Sequence, residues 1–262
     1  ADAVAEFHPA AARRADAGFA EMHFGTLEGR VLSEIRPTLY NPTVEKWSAG
    51  DVDVAWPAPL HPNFDARAGA AAPDLNTCDL DERAVFASIL GTASHAIRTT
   101  LAAALNREPD TVASARDPML DMADGRTGDE RDAFLRDQLD AMHCTRSSPD
   151  AAVAVMACSR FVVVPRGHML HSSRLLEALS IGAVPVVVSD GWVLPFEHDL
   201  IDWAAVAIRV AEADAPHVAA ILRNVSDEKW CAMRRAGRRA YADVLADPAD
   251  SLVRVFEARA GR

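Results

Sequence analysis

Between Phe161 and Phe196 the chain reads FVVVPRGHMLHSSRLLEALSIGAVPVVVSDGWVLPF. Two β-branched runs, 161–165 and 184–188, are apolar at nearly every position. Strands of that kind are buried on both faces, as in a parallel sheet covered by helices on both sides. The stretch between them, 172–181, has the length and composition of a helix. Upstream, RAVFASIL (83–90) predicts a strand and Gly91 to Ser94 a turn. HAIRTTLAAALNRE (95–108) follows, with Ile97, Leu101 and Leu105 at helical spacing. RDAFLRDQLDAM (131–142) reads as a helix, whereas the acidic, glycine-containing segment 109–135 shows no clear period. Ser148 and Pro149 suit the N-cap and first turn of a helix over DAAVAVMACS. Further on, the pattern predicts a strand at 204–210, a helix over 217–224 opened by Asp214 and Pro216, and a long helix over 227–245. Strands alternating with helices at this spacing imply an α/β fold of right-handed βαβ units.

The first 50 residues are rich in alanine and weakly patterned. The segment GDVDVAWPAPLHPNFDARAGAAAPD is dense in proline and glycine, as a connection is. Two parts are therefore expected: 1–75, poorly specified and ending in a linker, and 76–262, a Rossmann-like domain. The chain opens on Ala1, as an excised portion of a longer protein would.

Charge narrows the partners. The 27 Lys and Arg stand against 38 Asp and Glu, a formal charge of −11. A general nucleic-acid binder needs a basic face, so none is expected; a local basic pocket for one anion is compatible with the balance. Cys78, Cys144, Cys158 and Cys231 are scattered without a CxxC pair, which argues against zinc and leaves disulfides open. No run of about 18 apolar residues exists to span a bilayer. No GxxxxGK[ST] or GxSxG motif is present, so P-loop phosphoryl transfer and the hydrolase elbow lack support.

The polar residues of the opening segment crowd directly after a buried strand, where open parallel sheets bind ligands. Arg166, Gly167, His168, Ser172, Ser173 and Arg174 combine forked donors, hydroxyls, a flexible backbone and the start of a helix with unpaired N–H groups. Together they suit a phosphate or diphosphate. Glu177, three residues beyond Arg174, could accept from ribose hydroxyls, or could form only a surface ion pair with Arg174. His168 and His171 lack an obvious third metal ligand. On this basis the residues describe a phosphate or nucleotide binder of unstated purpose.

A resemblance sharpens the reading. VPRG (164–167), SSRLLEALSIGAVPVVVSDGWVLPF (172–196) and IDW (201–203) resemble, in order and spacing, the exostosin family of glycosyltransferases. DVDVAWP (51–57), RAVFASILG (83–91) and IRTTL (97–101) are similar to weaker blocks of that family. The resemblance implies a GT-B architecture whose C-terminal half binds a nucleotide-sugar, usually a UDP-sugar, and whose N-terminal half, here short or truncated, binds a glycan or glycoprotein acceptor. It places Arg166, Gly167, Ser173, Arg174, Glu177 and Arg98 at the donor site. It implies inverting transfer without a metal cofactor, at the lumenal face of the Golgi membrane. DVD (51–53) invites comparison with a metal-binding Asp-x-Asp but lies in an extended segment of the pattern. Relatives often carry a cysteine before PRG where this chain has Val162 and Val163. A non-catalytic partner of another glycosyltransferase is the competing expectation. Asn224-Val225-Ser226 is a glycosylation sequon.

Overall fold

The apolar run from Val184 to Val188 is buried at every position, and Ser159–Pro165 at all but one, because helices cover both of their faces. The computed structural model describes residues 26–27, 30–31, 78, 83–116, 128–146, 148–167, 169–197 and 199–260. The expected boundary near residue 75, DVD (51–53) and His168 lie outside them.

In chain order the elements begin with a short antiparallel pair, β1 (Thr26–Leu27) and β2 (Arg30–Val31). Then follow β3 (Val85–Thr92), α1 (Ala96–Leu105), β4 (Thr111–Arg116), α2 (Gly128–Ala141), α3 (Ala151–Cys158) and β5 (Ser159–Pro165). Next come α4 (Arg174–Ser180), β6 (Val184–Val188), α5 (Trp203–Val206) and β7 (Ile208–Arg209). A 3-10 helix (Glu212–His217) leads into α6 (Val218–Arg223) and α7 (Asp227–Ala240). A π-helical turn (Tyr241–Leu245) and α8 (Pro248–Ala260) complete them. The sheet order is β4-β3-β5-β6-β7, every neighbour parallel. The chain steps outward from β3 to β4, then returns to the other side of β3 with β5. A topological switch point therefore lies between β3 and β5.

Alternation along β5 divides the core. Phe161 and Val163 pack with Leu101 and Leu105 of α1, Leu222 of α6 and Trp230 of α7. Val162 faces Leu135 and Leu139 of α2 and Val155 of α3. Val164 meets Leu175 and Leu179 of α4 with Leu252 and Val255 of α8. The expected parallel α/β sheet with helices on both faces is present. No described helix is long and apolar enough to cross a membrane.

Several local expectations are corrected. The cap of α3 is Asp150, whose carboxylate accepts from Ala152 and Val153 N–H at 2.8 and 3.2 Å, while Ser148 accepts from Asp150 N–H. Within 204–210 only Ile208–Arg209 is strand. The Asp202 carboxylate caps Trp203–Val206 as a helical turn instead, accepting from Ala204 N–H. The long helix expected over 227–245 is present, its last turn, Tyr241–Leu245, being π-helical. All four cysteines pair, Cys78 with Cys231 and Cys144 with Cys158, with Cα separations of 5.5 and 6.1 Å.

The turn that carries α4 into β6 depends on Gly182. Its N–H donates to Leu179 O, and Ala183 N–H reaches back to Ala178 O, the paired bonds of a Schellman cap. Its φ is +72°, and a Cβ would stand 2.9 Å from Nη1 of Arg238. Gly182→Ala is expected to cost about 1–3 kcal/mol, read as a lower urea midpoint with unchanged slope. A shift too small to measure would show that the turn relaxes freely.

Candidate functional site

Because all five strands of the main sheet run the same way, their carboxyl ends gather at one end of it. β3 delivers Thr92, β5 delivers Arg166 and Gly167, β6 delivers Ser189 and Asp190, and Glu212 follows β7. Arg98 belongs to the first turn of α1, whose N-cap is His95. Its guanidinium turns back onto the strand ends. Nε donates to Arg166 O at 2.8 Å, Nη1 to Thr92 O at 3.1 Å and Nη2 to Pro165 O at 3.2 Å. Three of its five donors are thus engaged by backbone across the switch point.

Arg166 N–H extends the ladder to Val188 O. The Arg166 side chain lies 3.6 Å from Glu212 Oε1, a loose and partly exposed pair. Glu212 is itself fixed, since Oε1 accepts from Asp190 N–H and its own N–H donates to Asp190 Oδ1. Gly167 N–H donates to Met169 O, and Ser189 Oγ–H donates to Leu170 O, which fastens the following loop to the end of β6.

Arg174 opens α4, its Nη1 standing 2.6 Å from Glu177 Oε2 and 3.0 Å from the Met156 sulfur. Glu177 is only 3% exposed, so the pair is buried and the surface alternative is set aside. Its Oε2 takes no aligned hydrogen bond, and the contact with Arg174 is one of charge. Burial lowers the Arg174 pKa, partly offset by the charges of Glu177 and Asp150. Arg98 is pushed down to about 10, first by burial and then by the charge of Arg174.

The expected free N–H groups at the start of α4 are not offered. Arg174 N–H donates to Ser172 Oγ, and Leu175 and Leu176 N–H donate to Ser172 O and Ser173 O. With only seven residues in the helix, anion affinity must come from the arginines. Arg98, Arg166, Gly167, Ser172, Ser173, Arg174 and Glu177 are all placed by the strand ends of β3 and β5 or the start of α4. Glu212 and Asp190 join them and were missed by sequence reasoning. The position of each, just beyond a strand, is the signal that could have found them.

Two cavities lie elsewhere. One of about 540 Å³ is lined by Glu197, Trp203, Arg209 and Lys229. Another of about 430 Å³, lined by Arg83, Asp110, Arg160 and Arg223, sits at the opposite end of the sheet. None of the candidate residues lines either cavity. Beside the strand ends, DGWVLPF forms a fixed corner rather than a loose turn. Trp192 and Phe196 are buried, Trp203 Nε1 donates to Pro195 O, and Arg209 bonds both Trp192 O and Glu197. Among the described residues no group of three His, Cys, Asp or Glu is arranged to hold a metal ion.

Comparison with known proteins agrees with the sequence resemblance. The chain is 45% identical over 87 residues to an exostosin-1 homolog of Caenorhabditis elegans, covering 33% of this chain and 22% of that protein. It is 46% identical over 77 residues to exostosin-1 of Drosophila melanogaster, covering 29% and 10%. The matched part is thus less than a quarter of either relative's length. Among solved structures, WaaG, a glycosyltransferase involved in lipopolysaccharide biosynthesis, gives a TM-score of 0.43 at 14% identity, covering 78% of this chain and 56% of that one. The model of the exostosin GT47 domain matches residues 37–225, well over half of the sequence. The chain belongs to the exostosin GT47 domain family.

Proposed function

We propose that this chain is a glycosyltransferase domain that binds a UDP-sugar at the carboxyl ends of β3 and β5 and transfers the sugar to a glycan acceptor with inversion. The observation that carries the proposal is the gathering of Arg98, Arg166 and Arg174 at the switch point. There burial, and after it the charge of Arg174, lowers the Arg98 pKa, and the buried carboxylate of Glu177 is committed to Arg174. Arg166 holds only a loose, partly exposed partner in Glu212, and a diphosphate would meet its forked donors.

As the sugar departs, negative charge grows on the leaving diphosphate. Arg166 and Arg174 stabilise that charge by preorganised donors, which is the main electrostatic source of rate in group transfer. Arg166 exchanges its loose contact with Glu212 for a phosphate oxygen. Glu177 acts by orienting Arg174, since its carboxylate is buried against that side chain. The base that takes the acceptor proton comes from the acceptor-facing half of the enzyme. No metal cofactor is required in this reading, because arginines meet the developing charge. The two disulfides support work in an oxidising lumen, as the Golgi expectation requires.

Calorimetric titration with UDP, and with GDP for comparison, tests the proposal. UDP is expected to bind, and Arg166→Met to weaken it about 10- to 150-fold, as the loss of a charge-assisted contact implies. Unchanged UDP affinity in that variant would remove Arg166 from the site. No binding by the folded wild type would favour a non-catalytic partner of another glycosyltransferase.

A further inference from the structure

We propose that Arg98 is a positioning residue, a clamp that joins the ends of β3 and β5 and holds the Arg166 corner, rather than a ligand of the donor. Its three bonds to Thr92 O, Pro165 O and Arg166 O tie together two strands that are adjacent in space but separated by more than sixty residues of chain. No other side chain described donates to these three carbonyls. The last paired residues of β3 and β5 are Ser88 and Val162, so beyond them the two strand ends are no longer held by their own ladder. Arg98 occupies that opening.

The surrounding backbone is fitted to the guanidinium. A Cβ on Gly91 would stand 2.9 Å from Nη1, and one on Gly167 would stand 3.4 Å from Nη2 and 3.0 Å from Ser94 Oγ. The end of β3 therefore leaves the guanidinium room that an alanine at Gly91 would take, whereas a Cβ at Gly167 would first meet Ser94 Oγ. Planarity matters here, because only a rigid fork reaches three separate acceptors at once. A lysine ammonium at the same place would keep the charge but not the geometry.

The test has two arms, and only the second rests on the proposed donor site. In the first, amide hydrogen exchange is measured on the nucleotide-free chain, wild type and Arg98→Lys. The Arg166 and Gly167 amides, which donate to Val188 O and Met169 O, are expected to lose protection about tenfold or more through local opening. The amides of Val186 and Val187, within the buried strand β6, should keep theirs and thereby report that the fold is intact. Gly91→Ala, whose Cβ would stand 2.9 Å from Nη1 of Arg98, should reproduce the effect, and adding Arg98→Lys to it should change little. In the second arm UDP affinity is measured for Arg98→Lys, Arg166→Met and the double variant. A clamp acting through Arg166 predicts that the double variant binds no more weakly than Arg166→Met alone.

Unchanged exchange at Arg166 and Gly167 in Arg98→Lys would overturn the proposal, as would losses of affinity that add in the double variant. If the wild type does not bind UDP, the donor reading fails while the exchange arm still decides whether Arg98 is a clamp.

Discussion

Glu177→Ala is expected to destabilise the domain by about 3 kcal/mol or more, the scale for stranding one partner of a buried ion pair. The side chain of Arg174 is 20% exposed and that of Glu177 only 4%, so water cannot replace the lost carboxylate well. The remaining guanidinium would face the Met156 sulfur, a weak acceptor, with the charge of Asp150 as its nearest compensation. From the sequence alone, the expectation is that this substitution abolishes donor binding and leaves the fold intact. The burial of the pair revises it: both stability and binding should fall. Glu177→Gln keeps the shape and one acceptor oxygen, so it should recover part of the stability while still weakening UDP. Urea denaturation and UDP titration on the two variants separate the effects. A stability loss below about 1 kcal/mol for the alanine variant, the range of an exposed pair, would show that Arg174 and Glu177 are not coupled in the folded chain.

Trp230→Ala should cost about 3–5 kcal/mol, a large share of the roughly 5–15 kcal/mol that holds a domain together. Trp230 on α7 is 1% exposed and packs in the same cluster as Phe161 of β5, Leu222 of α6 and Met233. Its indole N–H donates to Arg160 O at 3.0 Å, at the start of β5. Truncation would open a cavity between helix and sheet and leave that carbonyl without its partner. Trp230→Phe separates the two contributions. It retains most of the ring and loses the hydrogen bond, at an expected cost of about 1–2 kcal/mol from the bond beyond the change in packing. Equal losses for the two variants would show that the hydrogen bond, not the packing, fixes α7 on the sheet.

The candidate site was legible to the extent that strand ends were legible. Arg166 and Gly167 follow the run 161–165, which could hardly be anything but a buried strand, and Arg174 and Glu177 follow at helical spacing. The strand before Glu212 was expected at 204–210 and ends within one residue of that; its start was misplaced because Trp203–Val206, although apolar enough for a strand, is turned into a helix by the Asp202 cap. What no linear pattern contains is the proximity of the three carbonyls that Arg98 meets, Thr92 O, Pro165 O and Arg166 O.

By itself, the sequence determined the class of fold, the central strands and the family. These rest on local signals: uninterrupted β-branched runs, helical spacing, and an ordered series of motifs. What the tertiary structure alone decided depends on pairings far apart in the chain. β4 is a strand although it reads TVASAR, because its buried Thr111 and Ser114 find partners in Leu105 O and the Arg131 guanidinium. The cysteines, unremarkable in spacing, pair across 14 and 153 residues. Arg174 and Glu177 could have been an exposed pair on a helix face; the packing of α4 made them a buried one. Hydrophobic periodicity records which residues seek the interior, but the partner of a buried polar group is chosen only when the chain has closed around it.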